Sequence, residues 1–395
     1  MLKEILICVA AFVLFAASAG NTTALTDQEQ LGKNLFFDEN LSEPKGQDCA
    51  ACHAPSVGFT GNNDTINQHG AVYEGAVTGR FGNRKPPAAA YAGDSPILVL
   101  ARGMWTGGMF WDGRATGWRL GDPLAEQALG PFLNPLEQNL PSPFEVINRV
   151  SVSSYVGLFN TVCGSATTDS AKYDCIGMSI AAYERSADVT SFTSRFDMEK
   201  LTKQEKDGLA LFRGKGKCDR CHPSRGKNPI FTDYTYDNIG IPRNPENPFY
   251  NEPLFNPSGV AWIDEGLGGF LNHDQTYFNV ARTEIGKEKV PTLRNVAKGS
   301  CETEPDNPGC VTKAYGHNGY FKSLQSIVHF YNTRDVLPIC GGIKNEPGVN
   351  CWPLPEIGLN INMKEVGNLG LTSGEEDDIV AFLNALSDTH TALPP

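Results

Sequence analysis

The pattern Cys-x-x-Cys-His occurs twice, as "CAACH" at 49–53 and as "CDRCH" at 218–222. Two thiols one helical turn apart can reach the two vinyl groups of a porphyrin, and the next residue then presents an imidazole to the iron. The spacing therefore predicts two covalently bound haem c groups, with His53 and His222 as iron ligands. The attaching thiols would be those of Cys49, Cys52, Cys218 and Cys221.

Two other uses of paired thiols agree less well with these motifs. A zinc site needs four ligands, and no second cysteine or histidine pair accompanies either copy. A thioredoxin-type dithiol needs no histidine and lies in a βαβ context, which this sequence does not predict. Haem attachment is the interpretation that uses every residue of the pattern.

A helix of similar sequence precedes each motif. The stretches "LTDQEQLGKNLFF" and "LTKQEKDGLALFR" both begin with a capping box, Thr26 with Glu29 in the first and Thr202 with Glu205 in the second. A capping box marks the start of a helix, because it satisfies backbone N–H groups that the first turn leaves without partners. Each helix is therefore expected to end just ahead of the cysteines.

The repeat also predicts the organisation of the whole chain. Two copies of one supersecondary unit indicate two related domains, at 25–185 and 195–395, with a polar stretch at 185–200 around the boundary. The 41 glycines and 26 prolines are many for a helical protein, but loops can wrap a large apolar cofactor that replaces core side chains. We therefore expect a mainly α fold of two cytochrome c-like haem domains with long loops and little β structure.

One further helix is predicted near the end of the chain. Thr372 and Glu375 form a third capping box. The apolar stripe that follows at i, i+3, i+4 and i+7 consists of Ile379, Phe382, Leu383 and Leu386. This helix is expected to pack against the second haem domain, although an exposed amphipathic tail would show the same stripe.

The first residues, "MLKEILICVAAFVLFAASAG", have the features of a secretory signal. One lysine is followed by an apolar run and by Ala17-Ser18-Ala19, which fits the A-x-A cleavage rule, so residues 1–19 are predicted to be a signal peptide. The apolar run is shorter than the ~20 residues that span a bilayer. We expect a periplasmic protein without stable membrane insertion, and a retained N-terminal anchor is the alternative.

Six cysteines remain after the haem motifs and Cys8 are set aside. They form three local pairs, 163/175, 301/310 and 340/351, each in a polar stretch. In an exported protein such pairs are natural disulfides, and free buried thiols are the alternative. The net charge of -12 argues against a nucleic acid partner, because the long-range field would repel a polyanion.

From about Leu25 to Leu386 the chain resembles the bacterial di-haem cytochrome c peroxidase and MauG superfamily. Besides the two haem motifs, the resemblance is carried by "MFWDGRA" at 109–115, "LAEQALGPFLNPLEQ" at 124–138, "KVPTLRNVA" at 289–297 and "HNGYFKSLQSIVHFYN" at 317–332. It implies that the N-terminal haem receives peroxide and that the C-terminal haem transfers electrons.

The resemblance assigns three residues to the reaction. Trp111 matches a tryptophan that lies between the haems and carries electrons or holes, although a core tryptophan would fit the same turn. Gln127 and Glu137 match the amide and carboxylate of the peroxide pocket, and a solvated loop carboxylate is the alternative for Glu137. A glutamate there could move a proton between the two oxygens of peroxide, so that water departs. The insertion "TGWRLGD" separates Trp111 from this pocket motif.

The resemblance also implies further iron ligands. His69 matches a distal histidine that caps the first iron at rest and swings away on reduction, and a surface-loop histidine is the alternative. Tyr331 lies fourteen residues after His317, where peroxidases carry methionine and MauG-type enzymes carry tyrosine. A phenolate ligand favours ferric and more oxidised states, whereas a thioether favours ferrous iron. Met363 could restore a His/Met haem, and Tyr331 would then be a core aromatic.

A calcium ion between the haems is usual in this family. Thr312 matches a carbonyl position, and Ala314 stands where proline is usual. The matching asparagine is shifted, with Lys85 in its place and Asn83 two residues earlier. Asn83, Thr312 and Ala314 are therefore the candidate calcium residues.

These features lead to one expected function and two alternatives. We expect a periplasmic di-haem peroxidase that reduces hydrogen peroxide with electrons from a small periplasmic donor protein, with a homodimer as a candidate assembly. A MauG-like enzyme would instead use a high-valent state of the two haems to oxidise Trp or Tyr side chains of a partner protein. A non-catalytic di-haem electron carrier is the second alternative, and Glu137 would then have no role.

Overall fold

The computed structural model describes residues 24–342 and 345–395, so the predicted signal peptide at 1–19 lies outside the described residues. Within these ranges the α-helices are α1 (Asp27–Phe36), α2 (Asp64–Gln68), α3 (Pro123–Leu133), α4 (Pro143–Ser151), α5 (Val156–Cys163), α6 (Asp169–Arg185), α7 (Lys203–Arg213), α8 (Gly266–Asn272), α9 (Phe278–Ala281), α10 (Leu324–Thr333) and α11 (Ser373–Asn384). None of these helices is long and apolar enough to cross a membrane.

The β structure described is limited to two small antiparallel sheets. Strands β1 (Val99–Ala101) and β2 (Met104–Thr106) form one, and β3 (Tyr236–Asp237) and β4 (Glu288–Lys289) form the other. The expected fold class, mainly α with long loops and little β, is confirmed.

The three capping boxes start the helices that the sequence predicts. At α1 the Thr26 hydroxyl accepts from the Glu29 N–H at 3.3 Å, and the Glu29 carboxylate accepts from the Thr26 N–H at 2.7 Å. The same pair of bonds starts α7 at Thr202 and α11 at Thr372. Each box therefore fixes the residue at which its helix begins.

A glycine shared by the two repeats explains how their helices pack. A Cβ atom on Gly32 in α1 would lie 1.8 Å from the Ser179 carbonyl oxygen of α6. A Cβ atom on Gly208 in α7 would lie 1.9 Å from the Asp378 carbonyl oxygen of α11. Each haem-motif helix therefore lies in backbone contact with a second helix, an approach that any side chain would block.

Each repeat contributes to a hydrophobic core of its own. The N-terminal core buries Leu31, Leu35 and Phe36 of α1 against α3, α4, α5 and α6. The C-terminal core joins α7, α10 and α11, with Phe212 and Phe382 at a ring-centroid distance of 5.2 Å. The predicted stripe of α11 is buried in this core, so the expected packing of the last helix on the second unit is confirmed.

The end of the chain crosses from the second core to the first. After α11, Asp388 accepts hydrogen bonds from the Tyr91 hydroxyl at 2.7 Å and from the Thr193 backbone N–H at 2.8 Å. Ala392 is buried within the N-terminal core. The boundaries 25–185 and 195–395 remain a prediction, and the last residues contact both cores.

The three disulfide pairs predicted from the sequence are confirmed in the described residues. Disulfides join Cys163 to Cys175, Cys301 to Cys310 and Cys340 to Cys351. The four free thiols are those of Cys49, Cys52, Cys218 and Cys221. The thiols left free are therefore the ones that belong to the two haem motifs.

The contact at Gly208 gives a stability prediction. Gly208→Ala should destabilise the protein by about 1–3 kcal/mol, because the added methyl group would force α7 and α11 apart. The measurement is the shift of the guanidinium unfolding midpoint, followed by circular dichroism.

Gly157→Ala in α5 is the matched control, since a Cβ atom there meets no other atom within 4 Å. It should leave stability unchanged or raise it by up to about 1 kcal/mol, because alanine favours a helix more than glycine does. Equal guanidinium unfolding midpoints for Gly208→Ala and Gly157→Ala would contradict the close contact between α7 and α11.

Candidate haem sites

A cavity of about 1190 Å³, open mouth included, adjoins the first motif. The turn of the motif is helical, because the His53 N–H donates to the Cys49 carbonyl oxygen at 2.9 Å. This turn directs Cys49, Cys52 and His53 into the cavity. Other parts of its wall are formed by residues of α3, of the loop 82–89 and of the segment 109–114.

The second motif adjoins a cavity of about 1000 Å³ that has the same arrangement. The His222 N–H donates to the Cys218 carbonyl oxygen at 2.9 Å, and Cys218, Cys221 and His222 line the cavity. Residues from α10, from β4 and from the segment 237–241 form other parts of its wall.

One hydrogen bond orients each histidine ring. His53 Nδ1 lies 3.1 Å from the Phe59 carbonyl oxygen, and His222 Nδ1 lies 2.8 Å from that of Phe231. Since a carbonyl only accepts, each Nδ1 carries the proton, and Nε2 keeps its lone pair for a metal. Burial lowers the pKa of His53 to about 4 and also lowers that of His222, so both rings are neutral at pH 7 and could act as ligands.

The two phenylalanines share an uncommon backbone conformation. Phe59 has φ +59° and Phe231 has φ +56°, in the left-handed region that bulky residues rarely adopt. Both side chains are buried, Phe59 beside Phe36 of α1 and Phe231 beside Phe212 of α7. The helix before each motif therefore supports the carbonyl that orients the histidine after it.

The residues present fit covalently bound haem in both cavities. Each cavity combines two free thiols with an imidazole nitrogen available to iron. Buried polar atoms without a protein partner also lie around them: both side-chain polar atoms of Gln138 and one carboxylate oxygen of Glu184 at the first cavity, and both carboxylate oxygens of Glu288 at the second. Such atoms normally have partners, which a bound cofactor and its waters would supply.

Trp111 lines both cavities and so forms part of the wall between them. Its indole N–H donates to the Lys85 carbonyl oxygen at 2.9 Å, and its own carbonyl oxygen accepts from the Lys289 N–H at 2.8 Å. Its ring lies 6.4 Å from that of His317, which lines the second cavity. These contacts hold the indole in one place relative to both cavities.

The turn that carries Trp111 is stabilised by charge. The Asp112 carboxylate accepts from Arg84 at 2.6 Å and from Arg114 at 2.8 Å. Burial favours the protonated acid, but the two guanidinium groups together hold the pKa of Asp112 below its usual range. The Asp-Gly-Arg part of the motif therefore has a positioning role that the sequence did not reveal.

Gln127 and Glu137 both line the cavity of His53, and neither lines that of His222. Gln127 lies on α3, and Glu137 follows the turn after α3, in which its N–H donates to the Asn134 carbonyl oxygen at 3.0 Å. Burial raises the pKa of Glu137, and the charge of Arg114 opposes this rise. The ten-residue spacing thus brings an amide and a carboxylate into one cavity.

Sequence reasoning missed three residues of the first cavity. Arg114 lines this cavity, and its guanidinium group stacks on the Phe110 ring at 3.8 Å. Its position in the motif "FWDGRA" could have indicated that it belongs to the site. Gln138 and Glu184 are buried in the same wall, and burial raises the pKa of Glu184 to about 8. No local pattern distinguished these two from ordinary polar residues.

The structure places Tyr331, on α10, in the wall of the second cavity. Burial raises the pKa of its phenol, and the nearby Cys218, Cys221 and Asp237 raise it further. Met363 does not line this cavity; it is exposed and its Sδ lies 3.4 Å from a guanidinium nitrogen of Arg334. Of the two candidate ligands, only the tyrosine faces the site.

His69 lies outside both cavities. It caps the C-terminal end of α2, its side chain is 61% exposed, and Nδ1 lies 3.2 Å from a Glu246 carboxylate oxygen. Ligation of the first iron by His69 would need this segment to rearrange, so that role remains a prediction.

The calcium role of Asn83, Thr312 and Ala314 remains a prediction, and the structure shows what surrounds these residues. The Thr312 carbonyl oxygen already accepts from the Asn67 amide at 2.8 Å. Asn83 lines the first haem cavity, and Ala314 is buried. The Lys85 ammonium group donates to the Thr60 hydroxyl and to the Pro86 carbonyl oxygen, each at 2.9 Å. An ammonium group of the protein itself therefore binds two oxygen atoms, those of Thr60 and Pro86.

Two cavities with one attachment motif each, and a tryptophan in the wall they share, define a di-haem c-type protein. The chain belongs to the di-haem cytochrome c peroxidase and MauG family. The family described as di-haem cytochrome c peroxidase matches residues 26–206.

Individual relatives match between 76% and 97% of this chain. The methylamine utilization protein MauG of Paracoccus denitrificans is 31% identical over 97% of this chain and 95% of its own length. Cytochrome c551 peroxidase of Nitrosomonas europaea is 31% identical over 76% of this chain and 72% of its own. The solved diheme peroxidase BthA of Burkholderia thailandensis aligns with a TM-score of 0.72 at 28% identity, over 93% of this chain and 88% of that one.

Proposed function

We propose that this protein is a periplasmic peroxidase, which reduces hydrogen peroxide to water in the N-terminal cavity with electrons from the C-terminal haem. The observation that carries the proposal is the difference between the cavities. Gln127 and Glu137 line the one beside His53, whereas Tyr331 lines the one beside His222. Bound haem would supply the redox chemistry, and the chain would supply proton transfer, orientation and the electron route.

Glu137 is the proposed acid and base. Reduction of one peroxide to two water molecules consumes two electrons and two protons. A carboxylate beside the O–O bond can take the proton of one oxygen and deliver it to the other, so that water leaves in place of hydroxide. The raised pKa of Glu137 favours delivery of the proton to the leaving oxygen, because a weaker acid stays protonated until that oxygen becomes basic enough to accept the proton.

Gln127 and Trp111 have proposed roles in orientation and electron transfer. The Gln127 amide offers both a donor and an acceptor to a peroxide in the same cavity. Trp111 borders both cavities, so an electron that crosses its indole remains inside protein over the whole distance. A small periplasmic protein would deliver the electrons to the C-terminal unit.

A second candidate function is oxidation of Trp or Tyr side chains on a partner protein. It is favoured by Tyr331, since a phenolate ligand stabilises oxidised iron, and by the 31% identity to MauG. The two candidates share the first cavity and differ in the fate of the oxidising equivalents. A third possibility, an electron carrier, would make no use of Glu137.

Replacement of Glu137 tests the peroxidase proposal. Glu137→Gln should slow peroxide consumption by roughly 10²–10⁴-fold, because the amide cannot transfer the proton. Stopped-flow spectroscopy of the holoprotein measures the rate. Glu39→Gln, at an exposed position, is the control and should react like the unaltered protein. A Glu137→Gln rate equal to the control would remove this residue from the mechanism.

The pH dependence should respond to Arg114. Glu137 accepts a proton only when it is ionised, so activity falls as the pH drops through its pKa, which burial places above the usual glutamate value. Arg114→Leu removes a charge that lowers this pKa, and the acid limb of kcat/KM should therefore move to higher pH. Arg119→Leu, whose guanidinium binds Asp174 outside the cavity, should leave the limb in place. If the acid limb lies at the same pH in both variants, the charge of Arg114 does not influence the pKa of Glu137.

Tyr331 decides between the two candidate functions. Tyr331→Met should raise the reduction potential of the C-terminal haem, because a thioether favours ferrous iron. If partner oxidation is the function, the diferric unaltered protein should react with peroxide, and the variant should need prior reduction. Spectroelectrochemistry and stopped-flow absorbance give the two measurements. An unchanged potential would show that Tyr331 is not a ligand.

A further inference from the structure

Lys313 places a buried cation where the two halves of the protein meet. Its side chain is 4% exposed, and Nζ donates to the carbonyl oxygens of Val57, Asn295 and Lys298 at 2.8, 3.0 and 3.0 Å. Val57 belongs to the N-terminal half, and the other two acceptors belong to the C-terminal half. One ammonium group therefore joins three backbone carbonyl oxygens from both halves.

The contacts of the Lys313 side chain match the three donors of an ammonium group. Burial, followed by the charges of Lys85 and Lys298, holds the pKa of Lys313 well below its usual value. However, three carbonyl oxygens surround Nζ, and they need three N–H donors, which an ammonium group has and a neutral amine lacks. The three hydrogen bonds thus favour the protonated form, in opposition to burial.

Lys85 provides a second cation, near enough for its charge to act on Lys313. Its Nζ binds the Thr60 hydroxyl and the Pro86 carbonyl oxygen. Its backbone N–H donates to the His317 carbonyl oxygen at 2.8 Å, and its carbonyl oxygen accepts from the Trp111 indole. Lys85 therefore connects the first cavity to residues that border the second.

Both ammonium groups act on the same loop. Val57 and Thr60 lie on either side of Phe59, whose carbonyl oxygen orients His53. The loop is also tightly packed, because a Cβ atom on Gly58 would lie 2.7 Å from that of Asn295. A cation that holds Val57 and Thr60 therefore helps to fix the ring of the first iron ligand.

We propose that the ammonium groups of Lys313 and Lys85 take the place of the calcium ion that the family resemblance implies, so that this protein joins its two haem cavities without a bound divalent cation. Carbonyl oxygens are the ligands that calcium prefers, and here the ammonium of Lys313 uses three of them. The Thr312 carbonyl oxygen is bound to Asn67. Two positive charges nearby would also repel an added divalent cation.

The direct test is the calcium content of the holoprotein. Protein dialysed against 1 mM CaCl₂ and then against metal-free buffer should contain less than about 0.1 calcium per chain by mass spectrometry, since the lysine ammonium groups already bind the oxygen atoms around them. Excess EGTA should change neither Tm nor the EPR spectrum of the ferric haems. One calcium per chain, or a spectrum that EGTA alters, would overturn the proposal.

A variant of Lys313 tests the structural role of its ammonium group. Lys313→Met leaves three buried carbonyl oxygens without donors, so Tm should fall by roughly 5 °C or more. The EPR signal of the N-terminal haem should shift, because the loop that orients His53 loosens. Lys200→Met, at an exposed position, is the control for loss of a lysine charge and should change neither.

Equal Tm values and EPR spectra for Lys313→Met and Lys200→Met would overturn the structural role. Should Lys313→Met fail to fold, the calcium content of the unaltered protein still decides the proposal. None of these measurements uses peroxide, so they are independent of whether the proposed peroxidase activity is correct.

Discussion

Each half of this protein depends on a single hydrogen bond from a histidine Nδ1 to the carbonyl oxygen of a phenylalanine in a left-handed conformation. Such a backbone costs of order 1–3 kcal/mol at a bulky residue and persists only where packing enforces it. Here the enforcement comes from aromatic contacts of Phe59 with Phe36 and of Phe231 with Phe212. The ring orientation that iron requires is thus built by the helix that precedes the thiols.

In the wall between the two cavities, too, hydrogen bonds fix the positions of side chains, here between residues far apart in the sequence. The backbone of Lys85 binds both the Trp111 indole and the His317 carbonyl group, while ammonium groups hold the loop around Phe59. Ligand orientation and the contact between the two haem sites therefore share one set of polar bonds. These bonds fix the position of Trp111 relative to both cavities.

Sequence patterns predicted the local features well. Capping boxes, haem motifs and disulfide pairs are set by residues within about a dozen positions of one another, and the structure has them where they were expected. Features that depend on distant segments were not foreseen. Lys313 reads as a surface lysine until Val57 is seen beside it, and nothing near His69 indicates that it pairs with Glu246. Glu184 is also buried, but no periodic pattern in the sequence indicated this.

The return of the chain's last residues to the first core has a consequence for biogenesis. Tyr91 and Thr193 bind Asp388, and Ala392 is buried among N-terminal side chains. A polypeptide that emerges from its amino end can form the first cysteine motif early, but the contacts of Asp388 and Ala392 with the N-terminal half form only when these residues are present. Completion of the N-terminal core therefore depends on residues from both ends of the described chain, whereas the first cavity is lined by residues between Phe36 and Glu184.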